Sequence, residues 1–136
     1  MAKSMTEDAV RDLAREALDL VDSEIARAGV GQLTTFNQLG FPGVADKPDG
    51  WYLPNNKNEV AVVLETKATR ITLGQAQVDE VLKNVRIMQT QYKKVVGILY
   101  NGEDIRVFKG EEEVKTPTKL QSVSYYLSLY TVDSIL

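Results

Sequence analysis

An uninterrupted apolar run constrains the fold of this chain more than any other feature. The run Val60-Ala61-Val62-Val63-Leu64 lacks apolar–polar alternation, as expected for a strand covered on both faces. We therefore predict a strand over residues 59–67, and the apolar residues at 95–100 predict another. The composition of residues 54–58 is typical of a turn, so a short strand at 51–53 and the strand at 59–67 form a predicted hairpin.

Two segments have the periodicity of amphipathic helices. Residues 6–28 place apolar side chains on one broad face, with acidic and arginine residues opposite, and Gly29 is the predicted stop. A second helix is predicted from residue 75 to about residue 92. Predicted capping boxes open these helices, Ser4 with Glu7 and Thr72 with Gln75.

The remaining segments complete a mixed order of elements. Residues 29–50 are loop-like, with a short strand or turn near 33–40. Asn101-Gly102 predicts a hairpin turn before a return strand at 104–108, residues 110–117 a charged turn, and residues 119–136 a helix. This order, α-β-β-β-α-β-β, predicts an α/β fold with a mixed central β-sheet flanked by α-helices.

Composition limits the classes of protein and of partner. A chain of 136 residues fits one domain with its own core, and we expect a single domain over residues 1–136. No apolar run approaches the roughly 20 residues that span a bilayer, no signal-peptide core is present and cysteine is absent, so we expect a cytoplasmic protein without membrane contact. The net charge of −3 argues against tight autonomous binding of nucleic acid by bulk charge.

Three ionisable residues lie near the ends of the predicted hairpin strands. Asp49, in Lys47-Pro48-Asp49-Gly50, precedes the first strand, whereas Glu65 and Lys67 end the second. Residues two apart share a face of a strand, so Glu65 and Lys67 project the same way. Asp49 reaches the same end of the sheet once the hairpin folds back. Two converging carboxylates repel each other unless one is protonated or a cation bridges them.

A divalent cation would resolve this repulsion. Because the chain has no histidine and no cysteine, oxygen ligands must hold any metal, which favours Mg²⁺ or Mn²⁺. The cation would polarise a phosphoryl oxygen and activate a water. Lys67 would orient or deprotonate that water, or stabilise the charge of the transition state. Asp49, Glu65 and Lys67 are therefore the candidates for hydrolysis of a phosphodiester.

The same residues resemble the signature of the PD-(D/E)XK nuclease superfamily. Pro48-Asp49 matches its first half and Glu65-Thr66-Lys67 its second. Residues 6–108 look like the N-terminal nuclease domain of type I restriction enzyme R subunits and related restriction-modification proteins. The flanking segments that add to the likeness are Thr6-Glu7 and Val10-Arg11, the glutamine-containing helix from residue 75, and residues 95–108.

The resemblance implies a restriction-endonuclease-like fold and a set of ligands. Asp49, Glu65 and the backbone carbonyl of Thr66 would bind Mg²⁺, and Lys67 would assist the attacking water. Glu7 would join them from the first helix as a further catalytic residue, with Glu16 and Glu24 as substitutes. The family's helix after the motif often reads Gln-x-x-x-Tyr, and here the tyrosine that should follow Gln75 or Gln77 is absent.

The resemblance also implies function and partners. We expect a metal-dependent endonuclease that cuts DNA, with translocase, methyltransferase or specificity domains or subunits as further partners. The chain would then be the N-terminal part of a longer restriction-modification polypeptide. Two alternatives stay open: a catalytically inert binding domain of the same fold, and a stand-alone structure-selective nuclease of the junction-resolvase type.

Each candidate residue also has a simpler interpretation. Asp49-Gly50 is a common turn sequence, Glu65 and Lys67 form an ordinary strand-end pair, and Glu7 serves as a cap. The exposed cations of the second helix and its neighbours form either a strip that faces phosphates or a solvated helix face. These cations are Arg70, Lys83, Arg86, Lys93 and Lys94.

Overall fold

Helices and groups of three consecutive strands alternate along the described part of the chain. The computed structural model describes residues 4–20, 25–28 and 33–135. The helices within these residues are α1 (Glu7–Leu18), α2 (Gln75–Gln89) and α3 (Val123–Ile135). The strands are β1 (Ala26–Ala28), β2 (Gly50–Tyr52), β3 (Ala61–Thr66), β4 (Val95–Tyr100), β5 (Ile105–Lys109) and β6 (Glu112–Val114).

One mixed sheet contains the six strands in sequence order. β3 and β4 run parallel, with Glu65 opposite Leu99, and α2 connects them. The neighbouring pairs are antiparallel, including the β2–β3 hairpin in which Gly50 lies opposite Leu64. The predicted α/β fold with a mixed sheet and flanking helices is confirmed, and each predicted strand lies within about two residues of an observed one.

The two covered strands separate two apolar layers. Even-numbered residues of β3 and β4, such as Val62 and Ile98, contact α1 and α3. Odd-numbered residues, such as Val63, contact α2 through Val85 and Met88. This two-sided burial explains why the run from Val60 lacks alternation. None of the described helices is long and apolar enough to cross a bilayer.

The first helix is shorter than its periodicity predicts. α1 ends at Leu18 because Asp19 adopts a left-handed backbone conformation (φ 54°) and its N–H caps the carbonyl of Glu16. Ala26–Ala28, predicted as helix, pairs instead with β2, so strand pairing overrides the helix preference of alanine. The predicted Ser4–Glu7 box is also wrong, since Thr6 caps the helix by accepting from the Ala9 N–H. The predicted stop at Gly29 lies outside the described residues.

Two further boundaries differ from the prediction. Gly74 caps α2, and its N–H donates to the Gln77 side chain, so the predicted box of Thr72 with Gln75 is wrong. The charged turn predicted at 110–117 contains β6, which pairs with β5 although its sequence is mostly glutamate. Cross-strand pairing stabilises this segment, because Arg106 on β5 binds the Glu113 carboxylate at 2.9 and 2.6 Å.

Candidate active site

The carboxyl end of β3 brings the sequence-predicted residues together. The β2–β3 hairpin places Asp49 beside β3, where its N–H donates to the carbonyl of Leu64 at 3.2 Å. Glu65 and Lys67 project towards α2, and the Lys67 Nζ lies 4.0 Å from the Glu65 Oε2. The three side chains are largely buried, with 11–19% of each exposed. They therefore form one cluster at the seam between α1 and α2.

The Asp49 carboxylate is saturated with donors. Its Oδ2 accepts from the Thr66 N–H at 2.7 Å and from the Thr66 hydroxyl at 3.0 Å. Its Oδ1 receives the Arg11 Nε at 3.1 Å and the Arg11 Nη2 at 3.0 Å. These four contacts hold the Asp49 carboxylate in one orientation, and a hydrogen bond with Glu65 adds a fifth.

Arg11, which the sequence reasoning did not single out as a site residue, is the internal counter-charge of this cluster. One turn of α1 positions it, and its guanidinium contacts Glu7 at 2.5 Å and Asp8 at 2.9 Å in addition to Asp49. Burial alone would lower the pKa of Arg11, but the charges of Asp49 and Glu7 outweigh burial and raise it. The predicted site residue Glu7 therefore reaches Asp49 through Arg11.

Burial and a neighbouring carboxylate keep a proton on Glu65. Burial raises the pKa of Glu65 to about 9, helped by the charge of Asp49 and a hydrogen bond with it. The Lys67 ammonium acts in the opposite direction and does not offset these effects. At neutral pH Glu65 therefore keeps its proton and forms a hydrogen bond with Asp49. Protonation of one carboxylate relieves the like-charge repulsion that a bridging cation would otherwise have to relieve.

Lys67 is a persistent cation in this environment. Burial by itself would lower the pKa of Lys67, but the ion pair with Glu80 and the charge of Glu65 raise it. Glu80 lies on α2 and also hydrogen-bonds Glu65. Nothing in the spacing of the motif pointed to Glu80. The one available signal is that Glu80, one residue before the buried Val81, borders the apolar face of α2.

Several other candidates lie away from this cluster. The side chain of Gln75 donates to Asp79 within α2, and Glu16 is exposed on α1. Glu24 lies outside the described residues. Two cations of the predicted phosphate strip are neutralised by partners, Lys83 by Asp46 and Arg86 by Glu111. The solvated-face interpretation therefore describes these two better than the phosphate strip does.

Two cavities adjoin the cluster. A cavity of about 470 Å³ opens beside Lys67, between the starts of α1 and α2, and Arg70 and Gln77 also line it. A second cavity of about 250 Å³ opens on the other side, where Glu65 lies near Lys47 and Asn84. The ridge formed by Glu65 and Lys67 therefore separates two recesses, each large enough for several waters.

The side chains available as metal ligands suit a hard divalent cation by their chemistry, but they are few. Asp49 and Glu65 supply carboxylate oxygens that already contact each other, and oxygen ligands suit Mg²⁺ or Mn²⁺. Among the described residues, no group of three or more acidic side chains is arranged to hold a metal ion. Further ligands would have to come from the backbone, as predicted for the Thr66 carbonyl, or from water. A cation at Asp49 would also have to displace Arg11.

Comparison with known proteins returned no match for the chain. No family model matches the sequence, and neither a curated protein nor a solved structure is significantly similar to it.

Proposed function

We propose that the protein is a metal-dependent endonuclease of the PD-(D/E)XK type with a restriction-endonuclease-like fold. The observation that carries the proposal is the convergence of Asp49, Glu65 and Lys67 at the carboxyl end of β3. The order of elements around them adds support, since the motif lies on a hairpin after α1 and before α2. Acidic ligands beside a buried lysine are what hydrolysis of an anionic ester needs.

The residues of the chain divide the work of this reaction. A divalent cation held by Asp49 and Glu65 would supply Lewis-acid stabilisation of phosphoryl charge. Thr66 fixes the Asp49 carboxylate through its N–H and its hydroxyl. Lys67 keeps its proton, because its pKa is raised, so it orients the attacking water and stabilises negative charge. A role for Lys67 as the base that deprotonates the water is disfavoured by the same shift.

The proposed setting is a restriction-modification system in which other parts bind most of the DNA. The chain is acidic overall, and Lys83 and Arg86 are already paired with carboxylates. A domain with this charge holds a long duplex poorly by itself. Translocase, methyltransferase or specificity domains or subunits would supply the missing contacts and the choice of sequence. The weak basic surface also disfavours a stand-alone junction resolvase.

A catalytically inert binding domain is the second candidate. It is favoured by the pairing of Arg11 with Asp49 and of Lys67 with Glu80, which leaves these groups satisfied without a metal. In such a protein the ion pairs would stabilise the fold, and Mn²⁺ would bind weakly, with the same affinity after Glu65→Ala.

Nicking of supercoiled plasmid by the purified protein tests the proposal. We expect cleavage with Mg²⁺ or Mn²⁺, none with a chelator, and loss of cleavage in Asp49→Ala and Lys67→Ala. Lys115→Ala is the matched control, because Lys115 is exposed and lies beyond β6. Cleavage that survives in both site variants would overturn the assignment. Absence of cleavage together with unchanged Mn²⁺ affinity in Glu65→Ala would establish the inert domain.

A further inference from the structure

A buried amide without a partner faces the smaller cavity. Asn84 lies on α2 and is 5% exposed, and it lines the recess that also contains Glu65. No described residue hydrogen-bonds to its side chain. Among the described residues, the Trp51 Nε1 is the one fully buried polar side-chain atom that lacks a hydrogen-bond partner. The nitrogen and oxygen of the Asn84 amide are therefore not fully buried. The hydrogen-bonding groups of Asn84 therefore open into the cavity.

The position of Asn84 is one where an apolar residue would serve the fold better. It borders the buried face of α2, next to Val81, Val85 and Met88. Asparagine is a poor helix former, and a mostly buried amide that no protein group pairs with depends on solvent in the cavity for its hydrogen bonds. An apolar side chain of similar shape has no such need and extends the core. A residue that opposes stability in this way, beside a catalytic cluster, is expected to serve binding.

The donors without a partner at the cavity favour an anion. Lys83 is neutralised by Asp46, and Glu80 is neutralised by Lys67. Glu65, the third carboxylate that lines the cavity, contacts Lys67 and Asp49. Lys47 is exposed, and no described residue pairs with its ammonium. The Asn84 amide and the Lys47 ammonium thus remain as donors without acceptors at this recess. A phosphate oxygen accepts from both types of donor, and phosphate groups are the regularly spaced anions of a nucleic acid strand.

We propose that Asn84 and Lys47 form a binding site for a backbone phosphate of DNA, adjacent to the phosphate that is cut. This inference rests on the proposed nuclease function. The strand would cross the ridge of Glu65 and Lys67, with one neighbouring phosphate in the recess of Asn84. The larger cavity on the opposite side, with Arg70 at its wall, would accommodate the strand beyond the ridge.

Binding of a short fluorescein-labelled DNA duplex, measured by anisotropy, tests the site. Ca²⁺ replaces Mg²⁺ in the assay because it also takes oxygen ligands. We expect Asn84→Leu to weaken binding about tenfold to a hundredfold, the range for one hydrogen bond to a charged group. Lys47→Gln should lower the slope of log affinity against log salt concentration by about one. Asn58→Leu and Lys115→Gln are matched controls from exposed positions.

Thermal unfolding of the same variants separates a binding role from a structural one. A binding role predicts that Asn84→Leu unfolds at the wild-type temperature or above it while its affinity falls. Asn84→Asp provides a second variant that keeps the shape and repels phosphate. Unchanged affinity in both Asn84 variants would overturn the proposal, as would a wild-type protein that does not bind DNA.

The two proposals fail in different ways. Plasmid nicking that proceeds normally in Asn84→Leu and Asn84→Asp would overturn the phosphate site and leave the nuclease intact. DNA binding that depends on Asn84 in a protein that never cuts would support the phosphate site and overturn hydrolysis.

Discussion

Replacement of Arg11 should strengthen binding of a divalent cation. The guanidinium is the internal cation of the cluster, with Nε and Nη2 at 3.1 and 3.0 Å from the Asp49 Oδ1. The other oxygen of Asp49 is occupied by Thr66. A metal ion must therefore break the Arg11 contact before Asp49 can bind it. Arg11→Gln removes the positive charge and the two-pronged contact, so the metal no longer competes with them.

The size of the effect follows from what Arg11 loses and keeps. A hydrogen bond to a charged group contributes about 1.5–3 kcal/mol. When a metal displaces Arg11 from Asp49, the guanidinium keeps its contacts with Glu7 and Asp8 and becomes hydrated. We therefore count the loss of one hydrogen bond to Asp49, although Arg11 makes two contacts with it. Each 1.4 kcal/mol is about tenfold in affinity. We therefore expect Arg11→Gln to bind Mn²⁺ roughly tenfold to a hundredfold more tightly than the wild type.

Titration of Mn²⁺ without DNA measures this directly, by calorimetry or by the electron paramagnetic resonance signal of the free ion. Arg86→Gln is the control, because Arg86 is also a helix arginine paired with a carboxylate, Glu111, at 2.7 Å. Arg11→Lys should fall between the wild type and Arg11→Gln, since lysine keeps the charge without the fork. Equal or weaker Mn²⁺ affinity in Arg11→Gln would refute the competition between the guanidinium and the metal.

The proton held by Glu65 and the close packing at Gly97 lead to three further predictions. Because the pKa of Glu65 is raised to about 9 in the folded protein, folding takes up a proton above the ordinary carboxyl pKa of 4.5. The contribution of Glu65 to the free energy of unfolding is therefore fully present below pH 4.5 and is lost as the pH rises towards 9, by at most about 1.4 kcal/mol per pH unit. Denaturant unfolding of chelator-treated protein should show this loss, and Glu65→Gln should make the free energy of unfolding less dependent on pH. Affinity for Mn²⁺ should rise up to about tenfold per pH unit from pH 6 to 8, because the metal must expel the Glu65 proton, and calorimetry in buffers of different ionisation enthalpy should count the proton released. Gly97→Ala should destabilise the protein by about 1–3 kcal/mol, since the new methyl would lie 2.6 Å from the Val85 Cγ2; Val85→Ala should offset part of this loss in a double mutant, and additive losses would contradict the contact.

The central strands and the cluster at their end were predictable because strong local signals encode them. The apolar runs before Glu65 and up to Tyr100 are too long and uniform for a half-solvated strand. Strand periodicity then places the side chains of Glu65 and Lys67 on the same face. β1 was not predictable, because Ala26 and Arg27 favour helix and pair with β2 only through tertiary contacts. β6 was not predictable either, because its two glutamates are typical of a charged turn and the segment becomes a strand only by pairing with β5.

The partners within the site could not be read from the motif. Arg11 and Glu80 belong to helices on opposite faces of the sheet, and no sequence spacing relates them to Asp49 or Lys67. Asn84 is visible as a polar interruption of an apolar stripe, but its exposure to a cavity is a property of packing. Ion pairs between different helices and strands therefore determine the charge and hydrogen bonding of the site. The segment around the motif determines only where in the fold the site lies.

The two hydrogen bonds between Thr66 and Asp49 also have a consequence for strand alignment. A one-residue slip in a half-solvated strand moves apolar side chains into water, so burial selects the alignment. β3 is apolar on both faces, and a slipped β3 would still bury valine and leucine on either side. The hydrogen bonds between Thr66 and Asp49 penalise such a slip, because a shift would take both Thr66 donors away from a buried carboxylate oxygen. Asp49 thus makes the hairpin choose one alignment, and its replacement should loosen that choice even in a protein that never meets DNA.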